Sequence, residues 1–396
     1  MISAAIIYDN FGPYHVARLR TSATVCNLTA IEIAGVSGTY AWNAVGTGGD
    51  FRRVTLFEGG TSSDMARPEL YRRLHAALDA ACAQVILIPG WASPAAWGAF
   101  EWCLKNSTPI VVMSDSTEWD EPRSPWKEWV KSNLVALGSS AFVAGARHRD
   151  YLVKLGMPAG RVFLGYDVVD NAYFENAARA VLARQNEIRR EHRLPENYFL
   201  ASARFIGKKN LPRLLEAYAR YRRAAAASWS LVLLGDGPLR PQLEKQLADL
   251  DLCDHVQMPG FRQYAELPAY YALAGAFIQA STEEPWGLVV NEAMASGLPV
   301  IVSHRCGCLP ELVHENVNGF AFDPFDVESL TEKLTRVSAP DFPRAAFAAK
   351  SREIVAQWGP GRFARGLLQS AESALSRPVP PAPMINRTIL SLLARR

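Results

Sequence analysis

Residues Ser281–Ser303 read STEEPWGLVVNEAMASGLPVIVS, and this stretch decides the fold. The apolar run Gly275–Ala280 (GAFIQA) leads into it as a strand, followed by a polar loop holding Glu283, Glu284 and Trp286. A short helix is expected from near Leu288 to Gly297, since glycine commonly supplies the left-handed residue that ends a helix. Pro299 comes next, and PVIVS has the branched composition of a second strand. Strand, helix and strand make one βαβ unit of parallel sheet, with its turn at the carboxyl edge where open α/β sheets bind ligands.

Two carboxylates belong to this unit, Glu284 in the loop and Glu292 inside the helix, with seven residues between them. Both can face one crevice, with the free N–H groups near Gly287, Leu288 and Val289 between them. Helix amino ends suit phosphate. A ligand with hydroxyls at its ends and phosphate in its middle would satisfy both kinds of group.

The run EPWGLVVNEAMASGLPVI resembles the E-x7-E signature of the family 4, retaining, GT-B-type glycosyltransferases. An ordinary buried βαβ unit with two stray glutamates would not also match the surrounding Gly and Pro positions. The resemblance implies an α/β fold of GT-B architecture, two Rossmann-like doubly wound domains facing across a cleft. It implies a nucleoside diphosphate sugar donor, with Glu284 on the donor-sugar hydroxyls and Glu292 on the ribose.

Length and composition agree with that class. At 396 residues, two domains of similar size are the natural expectation. A hydrophobic content of 49% and a charged content of 20% are those of a globular protein. The net charge of +3 is compatible with an anionic substrate or a membrane surface, and it does not indicate nucleic acid. No apolar run reaches membrane-spanning length. The start, MISAAIIYDNFG, lacks a basic segment and meets Asp9 early, so it reads as a first strand; cytoplasmic location, at most peripheral at the inner face of a membrane, is expected. Cys306 and Cys308 are close, but their flanks match no common zinc spacing, and reduced thiols are expected.

The first half alternates strand and helix patterns. Leu28 to Ala34, Val54 to Phe57, Val85 to Pro89 and Ile110 to Met113 read as strands, with helical spacing over Leu70 to Ala81 and Ala95 to Leu104. Such alternation argues for a doubly wound parallel sheet. After the first strand comes Asn10-Phe11-Gly12-Pro13-Tyr14-His15, where the resembled family usually carries a glycine pair; here Gly12 stands alone. His15 is either a site residue or a polar group at a helix start. Where many relatives place a histidine after the strand PIVVM, this chain has Ser114-Asp115-Ser116 and then Asp120. Asp115 either binds a hydroxyl or caps the next helix. Gly12, His15 and Asp115 are thus the acceptor-side candidates. The stripe Trp126, Trp129, Val130 and Leu134, with Lys127 and Lys131 between, suits an interfacial helix, but core packing is the expected role.

The second half starts with a strand over Tyr198 to Ala203 and a basic turn, Arg204-Phe205-Ile206-Gly207-Lys208-Lys209-Asn210. In the resembled family an arginine and, five residues on, a lysine bind the donor diphosphate, and Arg204 and Lys209 have that spacing. Fixed cations there would stabilise the charge growing on a leaving diphosphate. Gly235-Asp236-Gly237-Pro238 lacks the third glycine of a dinucleotide fingerprint, with Arg240 in its place. The resemblance makes Gly235 a point of close backbone approach to the donor, and Gly260, Phe261 and Arg262 the wall of the base pocket; Phe261 as a core residue is the alternative. Asp249-Leu250-Asp251 imitates a metal-binding D-x-D but follows a helical stretch, so no metal ligands and no cofactor are expected.

The expected organisation is an acceptor-binding domain over 1–171, a connector over 172–196, a nucleotide-sugar domain with a terminal crossover helix over 197–375, and a Pro-rich tail over 376–396. The tail RPVPPAP should be an extended linker, with a short amphipathic helix after it. Read together, these features point to hexose transfer, with retention, from a UDP- or GDP-sugar to a carbohydrate or lipid-linked acceptor. Polysaccharide or glycolipid assembly is the expected setting, and peripheral membrane contact is compatible with it. A GT-B-type epimerase or phosphorylase, or a non-catalytic sugar-nucleotide-binding protein, stays open on sequence alone.

Overall fold

A computed structural model describes residues 1–35, 51–225, 228–377, 379 and 382–395. Two compact units comprise Met1–Val169 with Pro360–Arg396, and Asp170–Gly359.

In the first unit, seven strands pair in parallel in the order β3-β2-β1-β4-β5-β6-β7. They are β1 (Ser3–Tyr8), β2 (Asn27–Ala34), β3 (Arg52–Phe57), β4 (Val85–Pro89), β5 (Ile110–Ser114), β6 (Ser140–Val143) and β7 (Val162–Leu164). The run SAAIIY is apolar throughout because both its faces are covered, as parallel strands require. Successive side chains point to opposite faces. Ala5 and Ile7 enter a core with Leu74, Phe100 and Leu152 from the helices Arg67–Ala81, Pro94–Asn106 and Ala146–Lys154. Ala4, Ile6 and Tyr8 enter another, with Leu19 of the helix Pro13–Ala23 and Phe363, Leu367 and Ala371 of the helix Pro360–Leu375.

The second unit repeats the plan with six strands in the order β10-β9-β8-β11-β12-β13. These are β8 (Tyr198–Ser202), β9 (Ser230–Leu234), β10 (Val256–Gly260), β11 (Ala276–Gln279), β12 (Val300–Ser303) and β13 (Gly319–Phe322). In each sheet the order reverses beside the first strand, between β1 and β4 and between β8 and β11. Such switch points open a crevice at the carboxyl ends of the strands.

The structure adds detail to the sequence expectation in three regions. The charged stretch expected as a connector forms the helices Asn171–Ala183 and Gln185–Glu191 within the second unit. Phe174 and Ala178 give the first of these a buried face, with the Phe174 ring against Tyr264 and Tyr271 at 5.3 and 6.0 Å between centroids. The helix Pro360–Leu375, expected as a crossover from the second domain back toward the first, packs in the first unit because Phe363, Leu367, Ala371 and Ala374 present one apolar face to its sheet. In the tail, Met384–Arg395 is helical and buries Leu390 in the first unit's core. Pro378, Pro380 and Pro381 of the expected linker lie outside the described residues.

Candidate active site

The loop after β11 is pinned to the loop after β12. Glu284 N–H donates to the Arg305 carbonyl at 3.2 Å, and Gly307 N–H donates to the Glu284 carbonyl at 2.9 Å. Trp286 is buried, donates its indole N–H to Asn291 Oδ1 at 2.9 Å and lies 5.2 Å from the Trp358 ring. The expected polar loop therefore has an apolar anchor. Gly287 then takes φ +101°, and a Cβ there would sit 3.3 Å from Glu284 Cγ. The bare glycine lets the Glu284 side chain lie against the amino end of the helix Leu288–Ala295. The N–H groups of Leu288 and Val289 are in that helix's first turn, which has no intrahelical partners to offer them.

Glu284 gathers three donors. Gln279 Nε2 lies 2.6 Å and Ser281 Oγ 3.0 Å from its Oε2, and the Lys209 ammonium is in direct contact with the same oxygen. Lys209 reaches it because the turn Gly207–Lys209 is tied to this loop by Thr282 N–H, which donates to the Lys208 carbonyl at 2.9 Å. Asn210, buried in the left-handed region at φ +59°, locks the end of that turn by donating to the carbonyls of Ala280 at 3.1 Å and Pro324 at 2.8 Å. Lys209 and Glu284 keep 13% and 11% of their side-chain surface exposed, enough to meet a ligand and too little for free rotation. Arg204 stands exposed at the start of the same turn.

The adjoining turn at the end of β9 is interwoven with this one. Gly235 has φ +123°, and a Cβ there would fall 1.9 Å from the Ala203 carbonyl oxygen, so no side chain fits. Its N–H donates to the Gly260 carbonyl at 3.0 Å, joining the ends of β9 and β10. Phe261 is 37% exposed, which excludes the core role. The Arg262 guanidinium folds back on Glu266 at 3.3 Å and on the Pro259 carbonyl at 3.1 Å.

Glu292 is buried at 1% exposure and accepts from the Tyr271 hydroxyl at 2.6 Å. Burial, with the Glu292 charge second, holds the Tyr271 phenol well above its usual range, so it stays a donor. Glu284 meets Lys209, whereas Glu292 is set among phenols; the two carboxylates of the signature have different surroundings.

In the first unit, Gly12 begins the helix Pro13–Ala23 and its N–H donates to His15 Nδ1 at 3.0 Å. The His15 ring lies 4.5 Å from the Tyr8 ring. Burial and the Arg18 charge lower its pKa to about 3, which keeps the imidazole neutral and Nδ1 free to accept. His15 thus serves the helix start. Asp115 is exposed just past β5, and the next helix, Pro125–Val135, takes Ser124 as its cap residue, so the capping role is excluded for Asp115. The stripe on that helix is only partly core: Leu134 is buried, but Trp126 and Trp129 are 65% and 41% exposed.

Four residues that sequence reasoning passed over build these edges. Gln279, Ser281 and Asn210 hold the Glu284–Lys209 turn, and a polar side chain at the carboxyl end of a buried strand was the available signal for Gln279. Glu32, buried on β2, accepts from Phe11 N–H at 3.0 Å, Arg53 Nε at 2.9 Å and Thr55 Oγ1 at 2.6 Å. It fixes the loop before Gly12, and as a charge in an apolar strand it was visible.

Residues 184–353 match the family model described as Glycosyl transferases group 1. The match lies within the second unit and covers most of it. Among curated proteins, the chain is similar to the alpha-D-kanosaminyltransferase of Streptomyces kanamyceticus, 27% identical over 235 residues, 59% of each chain. It is similar also to the GDP-mannose-dependent alpha-(1-6)-phosphatidylinositol monomannoside mannosyltransferase of Mycobacterium tuberculosis, 31% identical over 185 residues, 44% of this chain and 48% of that one. The chain thus spans between 48% and 59% of the length of these relatives. Among solved structures, Anabaena HepE in complex with UDP and glucose has a TM-score of 0.71 at 18% identity, covering 94% of this chain and 100% of that one. The sucrose-phosphate synthase of Thermosynechococcus elongatus has a TM-score of 0.70 at 19% identity, covering 95% of this chain and 100% of that one. At these identities the likeness establishes the fold: α/β, with the two parallel sheets of the GT-B glycosyltransferase architecture.

Proposed function

We propose that this protein is a retaining, family 4 glycosyltransferase that moves a hexose-type sugar from a UDP- or GDP-sugar to an acceptor hydroxyl, in polysaccharide or glycolipid assembly. The observation that carries the reading is the Glu284 carboxylate and Lys209 ammonium held together against the amino end of the helix Leu288–Ala295. Glu284 then orients donor-sugar hydroxyls, and Lys209, Arg204 and the amides of Leu288 and Val289 stabilise the leaving diphosphate. Gly235 and Gly260 bring backbone to the nucleotide, Phe261 and Arg262 line the base, and Glu292 serves the ribose. The leaving phosphate accepts the proton of the attacking hydroxyl on the same face, so neither a protein nucleophile nor a metal is required. Asp115 is the exposed acceptor-side group, and His15 with Gly12 shapes the loop beside it. Names among the relatives support both bases, one being GDP-mannose-dependent and one structure holding UDP and glucose.

The test is thermal shift with UDP, GDP and their sugars in the presence of a chelator, because a ligand of the folded state raises the melting temperature. Stabilisation by one base series, followed by transfer with retained anomeric configuration in proton NMR, is the expected result. No shift with any nucleotide overturns the reading.

A further inference from the structure

The helices Pro125–Val135 and Met384–Arg395 lie together in the first unit, Asn386 Nδ2 donating to the Asn133 carbonyl at 3.0 Å. Their inner faces bury Leu134, Val135, Ile389 and Leu390. Their outer surfaces do the opposite of what a water-facing helix does. Trp126 and Trp129 stack with ring centroids 4.9 Å apart while 65% and 41% exposed. Met384, Ile385 and Leu392 are 83%, 49% and 60% exposed, and Ile385 and Leu392 share one helix face. These five are nearly half of the eleven exposed large hydrophobic residues among the described residues, gathered on two neighbouring helices. Clusters of this kind mark contact surfaces, whereas single exposed apolar residues do not.

Charge selects the partner. Arg123, Lys127 and Lys131 share the two carboxylates of Glu121 and Glu128, with contacts from 2.8 to 3.8 Å, which leaves one positive charge over. Exposed Arg387 adds another, and the helix Met384–Arg395 has no acidic residue. Nearby Glu118 is paired with Lys154, while Asp120, turned onto the neutral Thr117 amide, offsets one of these charges and leaves the face with a net positive charge of one. A second copy of this face would meet like charge, whereas an anionic surface meets its complement.

We propose that this face docks on an anionic lipid bilayer. Trp126, Trp129, Ile385 and Leu392 enter the boundary between headgroups and acyl chains, and Lys127 and Arg387 meet lipid phosphates. Indole rings favour that depth, and basic residues beside an apolar stripe add attraction to anionic lipid. The inference stands whether or not the protein transfers sugar.

The experiment is flotation of the full chain with vesicles of phosphatidylcholine alone and with phosphatidylglycerol mixed in, beside sedimentation without lipid. Binding is expected to the anionic vesicles, weakened by salt. The double substitution Trp126→Ser with Trp129→Ser should lower it by about tenfold, and Lys127→Glu with Arg387→Glu should remove the preference for anionic lipid. All four side chains are solvent-facing, so melting temperatures should hold. No flotation of the unmodified chain, or equal flotation of the tryptophan variant, overturns the proposal. So does a concentration-dependent dimer that the tryptophan substitutions abolish, which would assign the face to a second copy.

Discussion

The two sheets share one plan and handle charge at their carboxyl edges differently. In the second unit Glu284 and Lys209 form an ion pair that keeps part of its surface in water, beside a helix amino end. In the first unit two charged groups, Arg18 and Glu32, are turned inward. Arg18 is 2% exposed, donates twice to the Val168 carbonyl at 2.8 and 2.9 Å, and meets Asp167 at 3.3 Å. Glu32 is spent on the Phe11 amide, Arg53 and Thr55. A pair that keeps some contact with water can exchange partners with a ligand at lower cost, whereas a fully buried one is committed to the fold. The contrast predicts that charge removal costs stability in the first unit and turnover in the second.

The largest expected effect is on stability. Arg18→Ala takes the guanidinium from buried Asp167 and should cost about 3–5 kcal/mol, read by urea unfolding. Adding Asp167→Asn should recover part of the loss, since the buried charge then goes as well. A loss below about 1 kcal/mol, the range of an exposed pair, would break the comparison from the first unit's side.

Next comes Glu284→Gln, which keeps the shape and removes the charge. Turnover should fall about a hundred- to a thousandfold, in line with loss of one preorganised polar group at a reacting centre. The melting temperature should move little, because the pair is partly solvated. Unchanged turnover in a nucleotide-binding variant would remove Glu284 from the mechanism and leave the pair a structural one.

The same contrast explains what sequence could deliver. The second unit was legible because its turns need fixed residue types at fixed places: no side chain fits at Gly235, and Gly287 makes room for Glu284. Steric necessity leaves a motif. Partners supplied across the fold leave none, which is why Gln279 and Asn210 escaped notice although Glu284 and Lys209 did not. In the first unit the strands follow the apolar runs closely, but the sequence left His15 and Asp115 each between a site role and a helix-start role, and only the folded chain shows that Asp115 caps no helix while His15 accepts from the Gly12 amide. The crossover helix ending at Leu375 and an amphipathic helix in the tail were legible from their apolar spacing, but the surfaces that receive Phe363 and Leu390 are assembled by the fold.

A smaller effect sharpens the difference within the second unit. Tyr271→Phe deletes the hydroxyl that donates to Glu292 at 2.6 Å. Weakening of folding by about 1–3 kcal/mol is expected, as for a lost hydrogen bond to a buried charged group. Calorimetry with the bare diphosphate should show weaker nucleotide binding, because the Glu292 carboxylate is no longer aimed. Stability lost with nucleotide affinity intact would class Glu292 with Arg18, as a group committed to the fold.

The smallest effect tests the inward habit of the first unit through pH. His15 has a folded pKa lowered to about 3, by burial first and the Arg18 charge second. The unfolded chain takes up a proton near the ordinary histidine value of about 6.5, and the folded chain does not. Stability contributed by neutral His15 is therefore full above that value, falls as pH drops below it, and levels off near the folded value. At pH 5 the loss should be roughly 1 kcal/mol, allowing for the ring's partial exposure. His15→Gln keeps an acceptor within reach of the Gly12 amide and has no proton to gain, so its stability should run flatter between pH 7 and about pH 4. Parallel curves for the two proteins would mean that the His15 ring meets water freely, and the loop before Gly12 would then be open to a ligand in the manner of the Glu284 turn.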